Sequence, residues 1–205
     1  MDKSDYESVR RLLRVPDSAI HSLYRCGSRV YGTSNARSDE DFVAVLAGPN
    51  AKVDLVLGDR RDIIVHTEAS FREALARHSV LALECFFVAA EHRLKETRPG
   101  FAFVLDRQRL AAAALGRSKS DFDKAARRFA DEPSASKKKL FHALRVASFA
   151  LQIARHERIV DFAETNSLWR QIEGQRDAEW EPYQRVFGPV YDRLTQALTL
   201  LKARG

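Results

Sequence analysis

Cysteine is scarce in this chain of 205 residues, which holds only Cys26 and Cys85. Both lie in apolar runs without the spacing of metal ligands. A disulfide framework is therefore excluded, and buried, reduced thiols are expected. There is no uninterrupted run of about 18 apolar residues, so no membrane-spanning helix is expected. Residues 1–8 read M-D-K-S-D-Y-E-S and contain no apolar signal core. Export is not expected, and the expected location is the cytoplasm. Internal repeats and low-complexity tracts are absent as well.

What is present describes an ordinary globular chain with enough apolar residues for an ample core: 45% are hydrophobic and 30% charged. The net charge of +6 is unevenly spread. Residues 1–116 carry 17 Lys and Arg against 16 Asp and Glu, whereas residues 117–145 carry 9 against 4. A local basic segment of this kind suits a polyanionic partner; the plain alternative is a solvated helix face.

The stretch around which the chain is organised is residues 26–62. A Gly-Ser pair, Gly27 and Ser28, follows an apolar run. Ser38-Asp39-Glu40-Asp41 opens a second run, and Asp62 opens a third, Ile63-Ile64-Val65. In a strand, residues two apart project from one face, so Asp39 and Asp41 point the same way. Side by side, two carboxylates repel unless a cation lies between them. Mg²⁺ takes one or two carboxylates together with substrate phosphates. Asp62 on a neighbouring strand would add a third carboxylate and make a two-metal clamp possible. Asp54 also lies in an apolar alternation and competes for that third place; Asp62 is preferred because the better-buried strand follows it. The Gly27-Ser28 turn permits close backbone approach to phosphates. Arg29, just after it, is a candidate phosphate contact.

The order G-S-R-V-Y-G-T, S-D-E-D-F and D-I-I-V resembles the signature of the DNA polymerase β-type nucleotidyltransferase superfamily. Residues 71–87 (F-R-E-A-L-A-R-H-S-V-L-A-L-E-C-F-F) and 137–145 (K-K-K-L-F-H-A-L-R) extend the likeness. That longer pattern is similar to the stand-alone nucleotidyltransferases of the RNA-repair-pathway subgroup. The resemblance covers roughly residues 20–175, with the first motif specific and the second looser. It implies catalytic and metal-holding roles for Asp39, Asp41 and Asp62. It implies nucleotide binding by Gly27, Ser28, Arg29, Ser38, Lys138, His142 and Arg145. Mg²⁺, as two ions, is the implied cofactor, and a nucleoside triphosphate the implied substrate.

The expected fold is α/β: a small mixed nucleotidyltransferase-type sheet flanked by helices, then an α-helical C-terminal half. A soft boundary at Arg98-Pro99-Gly100 gives a catalytic domain over residues 1–100 and a helical domain over 101–205. Helices are expected over 4–14, 70–77 (capped by Ser70 and Glu73) and 80–90, where Glu84 is a buried acid in need of a partner. Strands are expected over 22–26 and 41–46, with a turn at 47–50 and a hairpin over 53–57 and 61–66. Further helices are expected over 106–130, interrupted near Gly116, and over 137–159, capped by Ser136. A short helix over 168–173 and a final one over 190–202 complete the reading. On the helix over 137–159, Leu140, Leu144, Ala147, Leu151 and Ala154 form a core stripe. Lys138, His142 and Arg145 lie on another face.

The expected activity is transfer of a nucleoside monophosphate to an acceptor hydroxyl with release of pyrophosphate. The resemblance suggests an RNA end, or another polyanion, as the acceptor. Transfer to a protein or a small molecule, and nucleotide binding without turnover, stay open as alternatives. The residues fix neither the nucleotide nor the oligomeric state.

Overall fold

The structure is a computed structural model that describes residues 3–204 apart from 37, 49–53, 59 and 98. The expectations that fall on Arg37, Pro49, Asn50, Val53, Asp59 and Arg98 lie outside the described residues. The chain divides into two compact units. The first runs to Ala76 and resumes at Leu81–Val104; the second comprises Arg77–Val80 and everything from Leu105 onward.

The first unit is built on a five-stranded mixed sheet. Helix α1 (Lys3–Leu13) leads through a 3-10 turn (Asp17–Ala19) into β1 (Ile20–Cys26) and the one-turn helix α2 (Ser28–Tyr31). Then come β2 (Glu40–Leu46), β3 (Asp54–Gly58), β4 (Arg61–Thr67), α3 (Glu68–Ala76), α4 (Val80–Phe87) and β5 (Arg93–Glu96). The spatial order is β3-β4-β2-β1-β5. Only β2 and β4 run parallel; the other pairs are antiparallel.

Alternation along the strands sorts the side chains onto two faces. On one face Leu23, Phe42, Ala44, Ile63, Val65 and Leu94 pack with Val9 of α1. On the other, Tyr24 of β1 stacks on Phe71 of α3 at 5.8 Å, and Phe71 meets Phe101 at 4.8 Å. Both cysteines are buried and neither forms a disulfide, as their apolar surroundings suggested.

The second unit is helical: α5 (Arg107–Arg128), α6 (Pro133–His156), α7 (Asn166–Gly174) and α8 (Trp180–Arg204). Its core gathers Phe129, Leu140, Phe141, Leu144, Ile172, Tyr183 and Phe187. No helix among the described residues is long and apolar enough to cross a membrane.

Several boundaries differ from the sequence expectations, each for an identifiable reason. Helix α5 runs through Gly116 without a break. A helical glycine costs about 1 kcal/mol, and burial of Leu110, Ala114 and Ala125 along the same helix exceeds that. Helix α6 starts at Pro133, not at a Ser136 cap; proline suits a first helical turn, where its missing N–H is not needed. Helix α8 begins ten residues before the expected Val190 and continues past the internal Pro189. Tyr183 and Phe187, both buried, hold its first half in the core. Helix α3 is capped by Thr67, not Ser70. The Thr67 and Ser70 hydroxyls each accept the other's backbone N–H at 3.0 Å. Strand β5 was not anticipated: it is a four-residue edge strand with one buried side chain, Leu94.

Candidate active site

Parallel pairing of β2 and β4 sets Asp41 directly beside Asp62. Antiparallel pairing of β1 and β2 sets Cys26 on the other side of Asp41. Asp41 and Asp62 therefore share one face at one end of the central strands, both partly exposed. Asp54, the competitor, pairs with Val65 and accepts the N–H of Leu55 at 2.8 Å. It lies three rungs along the ladder from Asp62.

Gly27 follows β1 and adopts φ 73°, ψ −159°. That region is open to glycine almost alone. A Cβ placed there would come within 2.8 Å of Asp41 Cβ and would overlap its carboxylate. The Asp41 side chain thus fills the space glycine leaves. The Gly27 carbonyl accepts the Val30 and Tyr31 N–H groups and starts α2. Tyr31 donates its hydroxyl to Glu84 of α4. Both are buried, and this is the partner that an acid inside an apolar helix requires. It anchors the turn carrying Gly27 and Ser28.

Asp39 precedes β2 and is exposed, with Arg60 Nε at 3.8 Å. Arg60, at φ 58°, also donates to the carbonyls of Ala36 and Ser38 at 3.1 Å each. One guanidinium therefore fastens the loop that delivers Asp39. The Ser38 hydroxyl accepts the Asn35 N–H at 2.9 Å and shapes the same loop. Arg29 meets Glu40 at 3.4 Å, and Arg61 meets the same carboxylate at 3.2 Å. Arg25 pairs with Asp5 of α1. By alternation Glu40, Arg61 and Arg25 lie on the α1 face, opposite Asp41 and Asp62.

In the helical unit, Lys138 is exposed while Arg145 is only 7% exposed. The Arg145 guanidinium lies 5.3 Å from the Phe141 ring centre and 6.0 Å from that of Phe149. His142 makes a contact that sequence reasoning missed: its Nδ1 is 2.6 Å from Asp121 of α5. Asp121 is wholly buried and also takes Arg117 Nε at 2.7 Å and Lys139 Nζ at 3.3 Å. Burial alone would raise the Asp121 carboxyl; its contacts with His142, Arg117 and Lys139 hold it well below the usual range. Burial lowers His142 to about 4, with Arg145 and Arg117 adding to the effect against Asp121. At neutral pH His142 is therefore uncharged, with Nδ1–H donating to the carboxylate. The available signal was an acid on a core stripe, since Leu110, Ala114, Ser118, Asp121 and Ala125 recur at helical spacing.

Among the described residues no group of three or more His, Cys, Asp or Glu converges as a metal site. Two adjacent carboxylates on one face, Asp41 and Asp62, still fit Mg²⁺, which is completed by water and substrate phosphates. Asp39, drawn to Arg60, would have to exchange that partner to join them. A comparison with protein-family models finds no match to the chain, and neither does one with curated proteins.

Proposed function

We propose that the chain is a Mg²⁺-dependent nucleotidyltransferase that moves a nucleoside monophosphate from a nucleoside triphosphate to an acceptor hydroxyl, an RNA end. The observation that carries this reading is the pairing of Asp41 with Asp62 across parallel strands, pressed against a glycine that only glycine conformation permits. Two carboxylates placed side by side are unfavourable for stability. Register and a bare Cα bring them together, which is the arrangement a divalent cation would use.

Asp41 and Asp62, joined by Asp39, would hold Mg²⁺, which neutralises triphosphate charge and acidifies the acceptor hydroxyl. Gly27 and Ser28 would bring backbone close to the phosphates. Asp62 stands at the start of β4, where it can accept the proton of the attacking hydroxyl. The Tyr31–Glu84 hydrogen bond keeps the Gly27 turn in place. Arg60 keeps the Asp39 loop ordered until substrate arrives.

The test is incubation of the purified protein with Mg²⁺, each α-labelled nucleoside triphosphate in turn, and a pool of cellular RNA and protein. Label entering RNA with wild type, and not with Asp39→Asn/Asp41→Asn, is the expected result. Label in a protein band would reassign the acceptor. No transfer with any nucleotide into either pool would refute the reading for an RNA or protein acceptor.

A further inference from the structure

The cluster around Asp121 brings more positive charge than its one carboxylate neutralises, since Arg117 and Lys139 both face it. Arg117, Lys139 and His142 all converge on one carboxylate. Among the described residues, Asp121 is the acid that all three share. Asp121 Oδ2 takes Arg117 Nε and His142 Nδ1, and Lys139 Nζ faces Oδ1 at 3.3 Å. Here Arg117 and Lys139 outnumber the carboxylate in charge, and both are about half exposed. Arg117 uses Nε on Asp121, which leaves its terminal N–H groups for a ligand. His142 is 27% exposed and bound to Asp121 through Nδ1, and its Nε2 has no protein partner among the described residues.

The local sequence explains why the cluster is rigid. Ser118, one turn before Asp121, donates its hydroxyl to the Ala143 carbonyl at 2.9 Å. This small buried side chain fixes α5 against α6 at the crossing. Asp121 is then held against His142 by the same crossing, so the imidazole is oriented before any ligand arrives. A buried carboxylate that fixes an imidazole through one nitrogen determines what the other nitrogen does. Here it leaves Nε2 as a hydrogen-bond acceptor. The burial-lowered protonation of His142 is consistent with that acceptor state at neutral pH.

We propose that Arg117, Lys139 and His142, organised by Asp121, form a binding site for the ribose-phosphate backbone of RNA. Arg117 and Lys139 take a phosphate oxygen, and His142 Nε2 accepts the hydrogen bond of a ribose 2′-hydroxyl. A phosphate contact carries no sequence information, and a 2′-hydroxyl contact separates RNA from DNA. The site thus selects the kind of strand and not its sequence. This deepens the acceptor assignment above and rests on that reading for the strand's role as acceptor.

The experiment is fluorescence anisotropy with the whole chain and a short fluorescein-labelled RNA. The DNA and 2′-O-methyl RNA strands of the same sequence run in parallel, without nucleotide or Mg²⁺. Wild type is expected to bind RNA about fivefold more tightly than either analogue, the scale of one lost hydrogen bond. Arg117→Ala and Lys139→Ala should weaken all three strands alike and reduce the slope of log affinity against log salt by about one each. His142→Ala should remove the RNA preference. Because 2′-O-methyl RNA alters only the ligand, that arm holds even if a variant folds poorly. Binding is measured without nucleotide or Mg²⁺, so loss of transfer and loss of strand binding are read separately. Equal wild-type affinity for RNA and 2′-O-methyl RNA would overturn the proposal. So would unchanged binding and salt slope in both Arg117→Ala and Lys139→Ala.

Discussion

Replacing Gly27 with alanine tests whether the carboxylate pair is held in place by the glycine. Two costs are separable. The backbone at φ 73°, ψ −159° is nearly closed to any residue with a Cβ, which costs about 1–3 kcal/mol. The new methyl also falls within 2.8 Å of Asp41 Cβ, which is not the movable end of a side chain. Overpacking of that kind adds about 1–3 kcal/mol. Asp41→Gly removes the obstruction and leaves the backbone cost. A double-mutant cycle should therefore show Gly27→Ala to be milder in the Asp41→Gly background, by roughly the overpacking share. Both tryptophans, Trp169 and Trp180, lie in the helical unit, so their fluorescence does not report on the sheet. Hydrogen exchange of the β1 and β2 amides is the appropriate assay. Gly27→Ala should lower the protection of those amides by about 2–6 kcal/mol. Equal costs in the two backgrounds would refute the claim that Asp41 occupies the glycine's missing side chain.

Three further outcomes follow from the same structure. Asp62→Asn should lower transfer at least about a hundredfold, the scale of losing one well-placed charge-stabilising group, while Asp54→Asn should leave it within about twofold; steady-state rates with the labelled triphosphate decide, and equal losses would remove the register argument. Gln152 donates to the Asp161 carbonyl and Glu164 and accepts the N–H groups of Val160 and Asp161, both at 2.9 Å. Gln152→Leu should cost about 1–2 kcal/mol in urea unfolding followed by tryptophan fluorescence, and an unchanged midpoint would show that the loop after α6 does not depend on it. His142 titrates near 4 when folded, against 6.5 when unfolded. Between those values the unfolded chain takes up a proton that the folded chain does not. Stability should therefore fall as pH drops from about 6.5 to 4, by as much as about 3 kcal/mol. Asp121, held low, adds its own loss only below about 4. His142→Gln should flatten the upper window, and an unchanged slope would place the titration elsewhere.

The parts of this fold that were legible from sequence are those where one periodicity dominates over a long stretch. The apolar alternation of residues 41–46 and 61–66 marked two strands, and the Leu140, Leu144, Ala147 stripe marked the buried face of α6. Misplaced boundaries came from local signals read in isolation. Gly116 is expected to interrupt a helix, and Pro133 and Pro189 fall just outside the expected helices. A long helix tolerates a glycine, accepts a proline in its first turn and carries an internal proline when aromatic packing exceeds the loss. Strand β5 is a different case. Arg93-Leu94-Lys95-Glu96 has too little apolar content to be seen alone and exists because β1 presents an edge to pair with.

The candidate site divides in the same way, and the division explains why Asp121 escaped notice. Gly27, Asp39, Asp41 and Asp62 are named by residue type and spacing, which a sequence displays. That Asp41 stands beside Asp62 depends on parallel pairing between strands separated by a hairpin partner, which a sequence does not display. Arg29 and Arg145 are named as phosphate contacts because positive charge is visible in one dimension, whereas their neighbours are not. In the fold one is paired with Glu40, and the other is buried over two aromatic rings. Asp121 shows the converse. Among the Lys and Arg of residues 117–145 it reads as one of a few diluting acids. Yet it occupies a core position of α5, where an unpaired carboxylate would cost several kcal/mol. An acid at such a position must have partners, and those partners had to come from a facing helix. A charged residue on a helical core stripe requires a partner from a facing element, and for Asp121 that element is α6, which supplies His142 and Lys139.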